Sequence, residues 1–224
     1  MASDAHKKFK KTMLPVVNDL VDSHQTLSGK NKIGRRYLNH ITSSGVLMLC
    51  ASWELYVEEL ASEIADHLLQ RAEIPDSLPK NVRKEIVKAI EADKNELIAL
   101  KLAGEGWRGI YKKNLKTKID NFHSPKSEFI DKLYNDHLGW KGSSKSWGVE
   151  ANDIDDFVVL RGEITHGGIG KKNVSYVSIK TLNEKISLIC TAVDTLDNAA
   201  NDYIFKTLRL EKKPKRPWRR HLKS

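Results

Sequence analysis

The sequence predicts an all-α fold, and three observations carry that expectation. Apolar residues recur three and four positions apart through most of the 224 residues. No run of strands alternates with the helices, and no Gly-rich phosphate loop or internal repeat appears. Breaks in the pattern coincide with glycine, proline or capping residues, as helix ends require.

The elements follow in order. Phe9 to Leu27 carries Met13, Val16, Val17, Leu20 and Val21 at helical spacing, with Pro15 early enough to be tolerated or to bend the segment. Ser28-Gly29-Lys30-Asn31 reads as a connector. The longest periodic stretch, Arg35 to about Arg71, includes Val46, Leu49, Cys50, Trp53, Tyr56, Leu60, Ile64 and Leu68. Such a helix spans about 50 Å and suits a compact domain only if other helices wrap it. Ser43-Ser44-Gly45 is its weak point, where a bend is expected.

Ile74 to Pro79 breaks the pattern, and a helix runs from Pro79 to about Ala92. Glu96 to Leu102 and Arg108 to Ile119 read as two more, separated by Gly104-Glu105-Gly106. Ser124-Pro125 begins another, with Phe129, Ile130 and Leu133 on one face and Gly139 ending it. Residues 139–149 read as an exposed loop holding Trp140 and Trp147. Asn152 or Asp153 caps a helix bearing Ile154, Phe157, Val158 and Leu160. After a glycine loop, Val174 to Ile179 suits a short extended piece, and a last long helix runs from about Leu182 to Leu208. The expected organisation is one helical domain over residues 1–210 and a basic tail, 211–224, disordered on its own.

Charge is unevenly spread. Of the formal +9, the stretch from Lys206 onward carries +8, with nine basic residues against Glu211. The body is near neutral. Lys212, Lys213, Lys215, Arg216, Arg219 and Arg220 therefore form a candidate RNA-contacting tail, although such a tail attracts any polyanion. Cys50 and Cys190 lie in apolar stretches and read as buried, reduced thiols. No residue cluster has metal-ligand spacing, so neither a metal nor a cofactor is expected. No apolar run approaches the roughly 20 residues that span a bilayer, and the N-terminus lacks the apolar core of a signal peptide. A soluble, cytoplasmic protein is the expectation.

Chemistry concentrates in Val158 to Gly168. There Arg161 and His166 offer a permanently charged fork for a phosphate and an imidazole that moves protons near neutral pH. Arg35 with His40 and Arg216 with His221 have the same separation. The last pair contains Pro217 in a tail without core positions, and nothing near the first ends the helix or makes room for a phosphate. Arg161 instead follows a capped apolar helix, Gly162 leaves bare surface beside it, and Gly167-Gly168 stops the helix after His166. Five helical steps put the two side chains roughly 140° apart. Either the helix unwinds near His166, or the site combines two copies of the chain across a two-fold axis.

Arg161, His166 and Gly167 resemble the arginine–histidine motif of HEPN domains, in particular the RiboL-PSP-type branch. The resemblance extends to Trp53-Glu54, Leu78-Pro79-Lys80, Asn114-Leu115-Lys116, the Phe129-to-Leu138 segment with Gly139, and the closing helix, covering roughly residues 35–205. It implies a four-helix-bundle core with additional helices. It also implies a metal-independent endoribonuclease, commonly a homodimer whose motifs face each other, and frequent service in toxin–antitoxin systems or antiviral defence with an antitoxin or regulatory partner. The position after the arginine is commonly polar in that family; here it is Gly162, followed by Glu163.

On this reading Arg161 and His166 are the catalytic candidates, with Glu54, Gly162, Glu163 and Gly167 in support and Glu54 pairing with Arg161. Attack by a ribose 2′-hydroxyl would leave a 2′,3′-cyclic phosphate, with one His166 of a dimer as base and the other as acid. The alternative is a non-catalytic HEPN module that binds nucleic acid or an acidic protein. A tail-driven DNA-binding protein is a third, weakened by the absence of a recognition helix. Trp107, Trp140 and Trp147 read as core or loop anchors. His24, His67, His123 and His137 read as surface or helix-end residues, and Lys112, Lys113, Lys116 and Lys118 as a solvated face.

Overall fold

A computed structural model of the chain describes residues 2–31, 38–95, 97–167 and 176–207. Among the described residues every regular element is helical. The helices are α1 (Asp4–Lys8), α2 (Leu14–Asn31), α3 (Asn39–Arg71), α4 (Lys80–Glu91), α5 (Gly106–Asp120), α6 (Ser127–Leu138), α7 (Ala151–Gly167) and α8 (Ile179–Thr207), with short 3₁₀ turns between some of them.

The first helix starts at Asp4, not Phe9, and continues through Ser28 to Asn31, where a connector was expected. Its early start has a long-range cause. The backbone N–H of Ser3 donates to both Asp197 carboxylate oxygens at 3.2 Å, and the N–H groups of Asp4 and Ala5 donate to Glu63. Two buried carboxylates from α8 and α3 thus satisfy donors that a helix N-terminus leaves unpaired, and their charge suits its dipole. A π-helical turn over Phe9–Met13 joins α1 to α2. It precedes Pro15, whose ring would crowd the carbonyl one turn back in a regular α-helix. Phe9, Met13, Val17 and Val21 form the buried face, whereas Val16 is exposed.

α3 is the axis of the molecule. It packs against α2 and α8 most extensively and also touches α1, α5, α6 and α7, which is the wrapping that its length demands. α3 is helical through Ser43-Ser44-Gly45, where a bend was expected. Gly45 serves a different purpose, because a Cβ there would lie 2.6 Å from Leu182 Cδ2 of α8. Bare backbone at this point lets the two long helices approach closely.

Two expectations for the far end need correction. Residues 139–149 are not an exposed loop: Trp147 and Trp140 are both buried. The Trp147 ring meets Trp53 edge to face at 5.4 Å, and Trp140 stacks on Tyr203 at 4.9 Å. Asp131 fastens the turn between them by accepting from Ser143 and Ser144. Phe129 is exposed rather than sharing the buried face of Ile130 and Leu133. Gly139 does end α6, at φ +80°, where a Cβ would strike Pro79.

The Glu96-to-Leu102 segment is a 3₁₀ turn over Ile98–Leu102, and Glu96 lies outside the described residues. α7 starts at Ala151, one residue ahead of the expected cap. α8 starts at Ile179, so the described part of the expected extended piece, residues 176–178, leads directly into it. Cys50 is buried and Cys190 half-buried, both as free thiols.

Candidate active site

Trp53 and Glu54, neighbours in sequence, point to different tasks. Trp53 is buried, and its indole Nε1 donates to the Pro125 carbonyl at 3.1 Å. That bond ties the connector between α5 and α6, residues 121–126, to the middle of α3. Glu54 reaches the other way: its Oε2 lies 3.7 Å from Arg161 Nη1 on α7. Arg161 Nη1 also donates to the His123 carbonyl in the connector, at 3.5 Å. From the other side, Ser127 N and Oγ donate to Asp155 of α7 at 2.7 and 2.6 Å.

α3, α7 and the connector are thereby locked together around Arg161. Between α7 and the connector lies a surface groove of about 630 Å³, bordered by His123, Ser124, Lys126, Arg161, Glu163 and His166, with Val158, Val159, Gly162 and Thr165 completing it. α7 is helical through Gly167, so unwinding is not what brings Arg161 and His166 to one groove.

Three groups on α3 are shifted by burial and by neighbouring charges. Burial pushes the Cys50 thiol up to about 11, against the opposing pull of the nearby Arg161 guanidinium, so it stays neutral. Burial also raises the Glu54 carboxyl above its ordinary range, while Arg161 and then His123 pull it back. One turn along α3, Glu58 is pushed up to about 7 by burial and by its neighbours Glu54, Glu59 and Asp120. Gly162 has no atom within 4 Å of where a Cβ would sit, so the position after Arg161 is open space.

Residues 16–201 match the family model described as RiboL-PSP-HEPN. The chain belongs to the RiboL-PSP-HEPN family. No curated protein and no solved structure matches it. The family match takes in every residue of the groove, and membership supports a HEPN-type, nucleic-acid-related role.

Within this HEPN fold the sequence-derived candidates distribute unevenly. Arg161, Gly162, Glu163 and His166 line one groove, Glu54 pairs with Arg161 at its edge, and Gly167 closes α7. His40 sits exposed at the start of α3, but its partner Arg35 lies outside the described residues, as do Lys212, Lys213, Lys215, Arg216, Arg219 and Arg220. Lys112 and Lys116 are exposed and pair with Asp66 and Asp120, consistent with a solvated face. Trp107 is core. His24, His67 and His137 are buried rather than at the surface.

His123, Ser124 and Lys126 are the groove residues that sequence reasoning passed over. No spacing rule links them to Arg161, which is 38 positions from His123. The available signal was Trp53, an indole donor whose burial requires an acceptor from somewhere else in the chain. Among the described residues no three His, Cys, Asp or Glu side chains gather as a metal site would require, and no helix is long and apolar enough to cross a membrane.

Proposed function

We propose that the chain is an endoribonuclease that cleaves RNA without a metal, by attack of a ribose 2′-hydroxyl on the adjacent phosphorus. The observation that carries this reading is the shared groove of Arg161 and His166, with Glu54 holding the arginine from outside it. Arg161 neutralises the charge that builds on the phosphoryl oxygens, through paired N–H contacts. His166, exposed on the last turn of α7, exchanges a proton with the 2′- or 5′-oxygen. The products are a 2′,3′-cyclic phosphate and a 5′-hydroxyl, and DNA is inert because it lacks the nucleophile.

The same reading includes a homodimer with the two grooves facing. Support comes from the exposed apolar side chains Met48 and Leu55 of α3 and Val159 of α7, the last bordering the groove. The basic tail adds sequence-indifferent attraction for RNA. A non-catalytic RNA-binding module is the second reading, favoured by the open position at Gly162 where a polar side chain is common in the family.

Two substitutions separate these readings. His166→Ala is expected to slow cleavage by about 10²- to 10⁴-fold, the usual contribution of a positioned acid or base, with RNA binding retained. Arg161→Lys keeps the charge but loses the planar fork, and is expected to lower the rate as well. Cleavage unaffected by His166→Ala in a folded protein would refute the assignment.

A further inference from the structure

Phosphodiester cleavage by a 2′-hydroxyl needs a proton taken from O2′ and a proton given to O5′. These oxygens lie on opposite sides of the phosphorus, so one imidazole does not serve both in the same step. The groove holds two. His123, in the connector, is exposed and borders the same groove as His166. The backbone on both sides of it is fixed: its own carbonyl accepts from Arg161, the Pro125 carbonyl accepts from buried Trp53, and Ser127 donates twice to Asp155. A connector without regular structure is thus fastened to both helices that carry the Glu54–Arg161 pair. That is how a reacting group is held in place before substrate arrives. Glu54, 3.7 Å from Arg161, places a carboxylate beside the guanidinium that holds this connector. Lys126, three residues on, adds a further cation to the same wall.

Resting on the ribonuclease reading above, we propose that His123 is the second proton-transfer group, the acid that protonates the leaving 5′-oxygen. His166 removes the 2′-hydroxyl proton as O2′ bonds to phosphorus. The P–O5′ bond breaks with its electron pair on oxygen, and the His123 imidazolium donates its proton to that oxygen. His166 ends protonated and His123 neutral, and exchange with water restores both. Arg161 and Lys126 hold the non-bridging oxygens. Each protomer then contains its own base and acid.

The test uses the full chain and a DNA strand with a single ribonucleotide, made in two forms. One has the natural linkage; the other has sulfur in place of the bridging 5′-oxygen, which leaves as a thiolate without needing a proton. His123→Gln is expected to cut the natural strand at least about 100-fold more slowly than the parent, yet the sulfur strand within about threefold. His166→Gln is expected to fail on both. The alkaline limb of the pH–rate profile on the natural strand should vanish in His123→Gln.

Charged and titratable groups on the elements around the groove are Glu54 and Glu58 on α3, Asp120 on α5, Lys126 in the connector, and Arg161, Glu163 and His166 on α7. A limb that disappears instead in Glu58→Gln belongs to that carboxyl and contradicts the assignment. Because Arg161 binds the backbone carbonyl of His123, His123→Gln and His123→Asn both leave that bond possible, and their melting should match the parent. Parental cleavage of the natural strand by His123→Gln would overturn the proposal and leave the ribonuclease reading standing. Equal losses on both strands would make His123 a positioning residue. No cleavage by the parent itself would sink the ribonuclease reading.

Discussion

Arg161 is surrounded by Glu54 at 3.7 Å, the His123 carbonyl at 3.5 Å and the buried Cys50 thiol. None of these saturates its five donors, which leaves the fork able to take a phosphate. The acidic side of the same helix face is under tension of a different kind. Glu58 rises from 4.5 to about 7 because it is partly buried beside Glu54, Glu59 and Asp120. Its folded-state value lies above its unfolded one, so ionising it costs the folded state more than the unfolded state. That cost is absent at low pH and grows as pH rises between those two values. Glu58→Gln is therefore expected to change the melting temperature little at pH 4 and to raise it relative to the parent at pH 8. A difference that does not grow with pH would contradict this. Arg161 and His166 were legible in sequence because both sit on one helix with a glycine boundary. His123 was not, since its place is set by a bond from Trp53 to Pro125, 72 residues away.

α7 carries most of the candidate site's side chains, and Gly162 is its weak residue. A glycine inside a helix costs roughly 1 kcal/mol relative to alanine, and the space around this one is open. Gly162→Ala is expected to raise stability by about 0.5–1 kcal/mol, read as a higher denaturant midpoint with an unchanged slope. A lower midpoint would mean that bare backbone is required there. Most helices were legible at this scale because their apolar faces repeat locally. Those misjudged depend on distant partners. α1 owes its start to Glu63 and Asp197, and residues 139–149 owe their burial to Trp53, Tyr203 and Asp131. A window of neighbouring residues contains none of that information. Gly45 was read as a place for a bend because sequence does not show that Leu182 lies against it.

For the whole molecule, the long helix α3 organises both stability and the site. Its buried face runs from Val46 to Leu69 through the core that Phe9, Tyr134, Trp147 and Ile189 complete. One edge carries Trp53 and Glu54, which fix the connector and the arginine. Helices α5, α6 and α7 are thus placed by the same element that holds the core. In sequence, formal charge is concentrated away from the groove residues: the body is near neutral, and the stretch from Lys206 onward carries +8. The most direct measurement is to incubate the full chain with end-labelled RNA in excess chelator and identify the new termini. The account predicts 2′,3′-cyclic phosphate and 5′-hydroxyl ends, with matched DNA untouched. Cleavage that stops in chelator and returns with a divalent ion, or 3′-hydroxyl and 5′-phosphate ends, would contradict it.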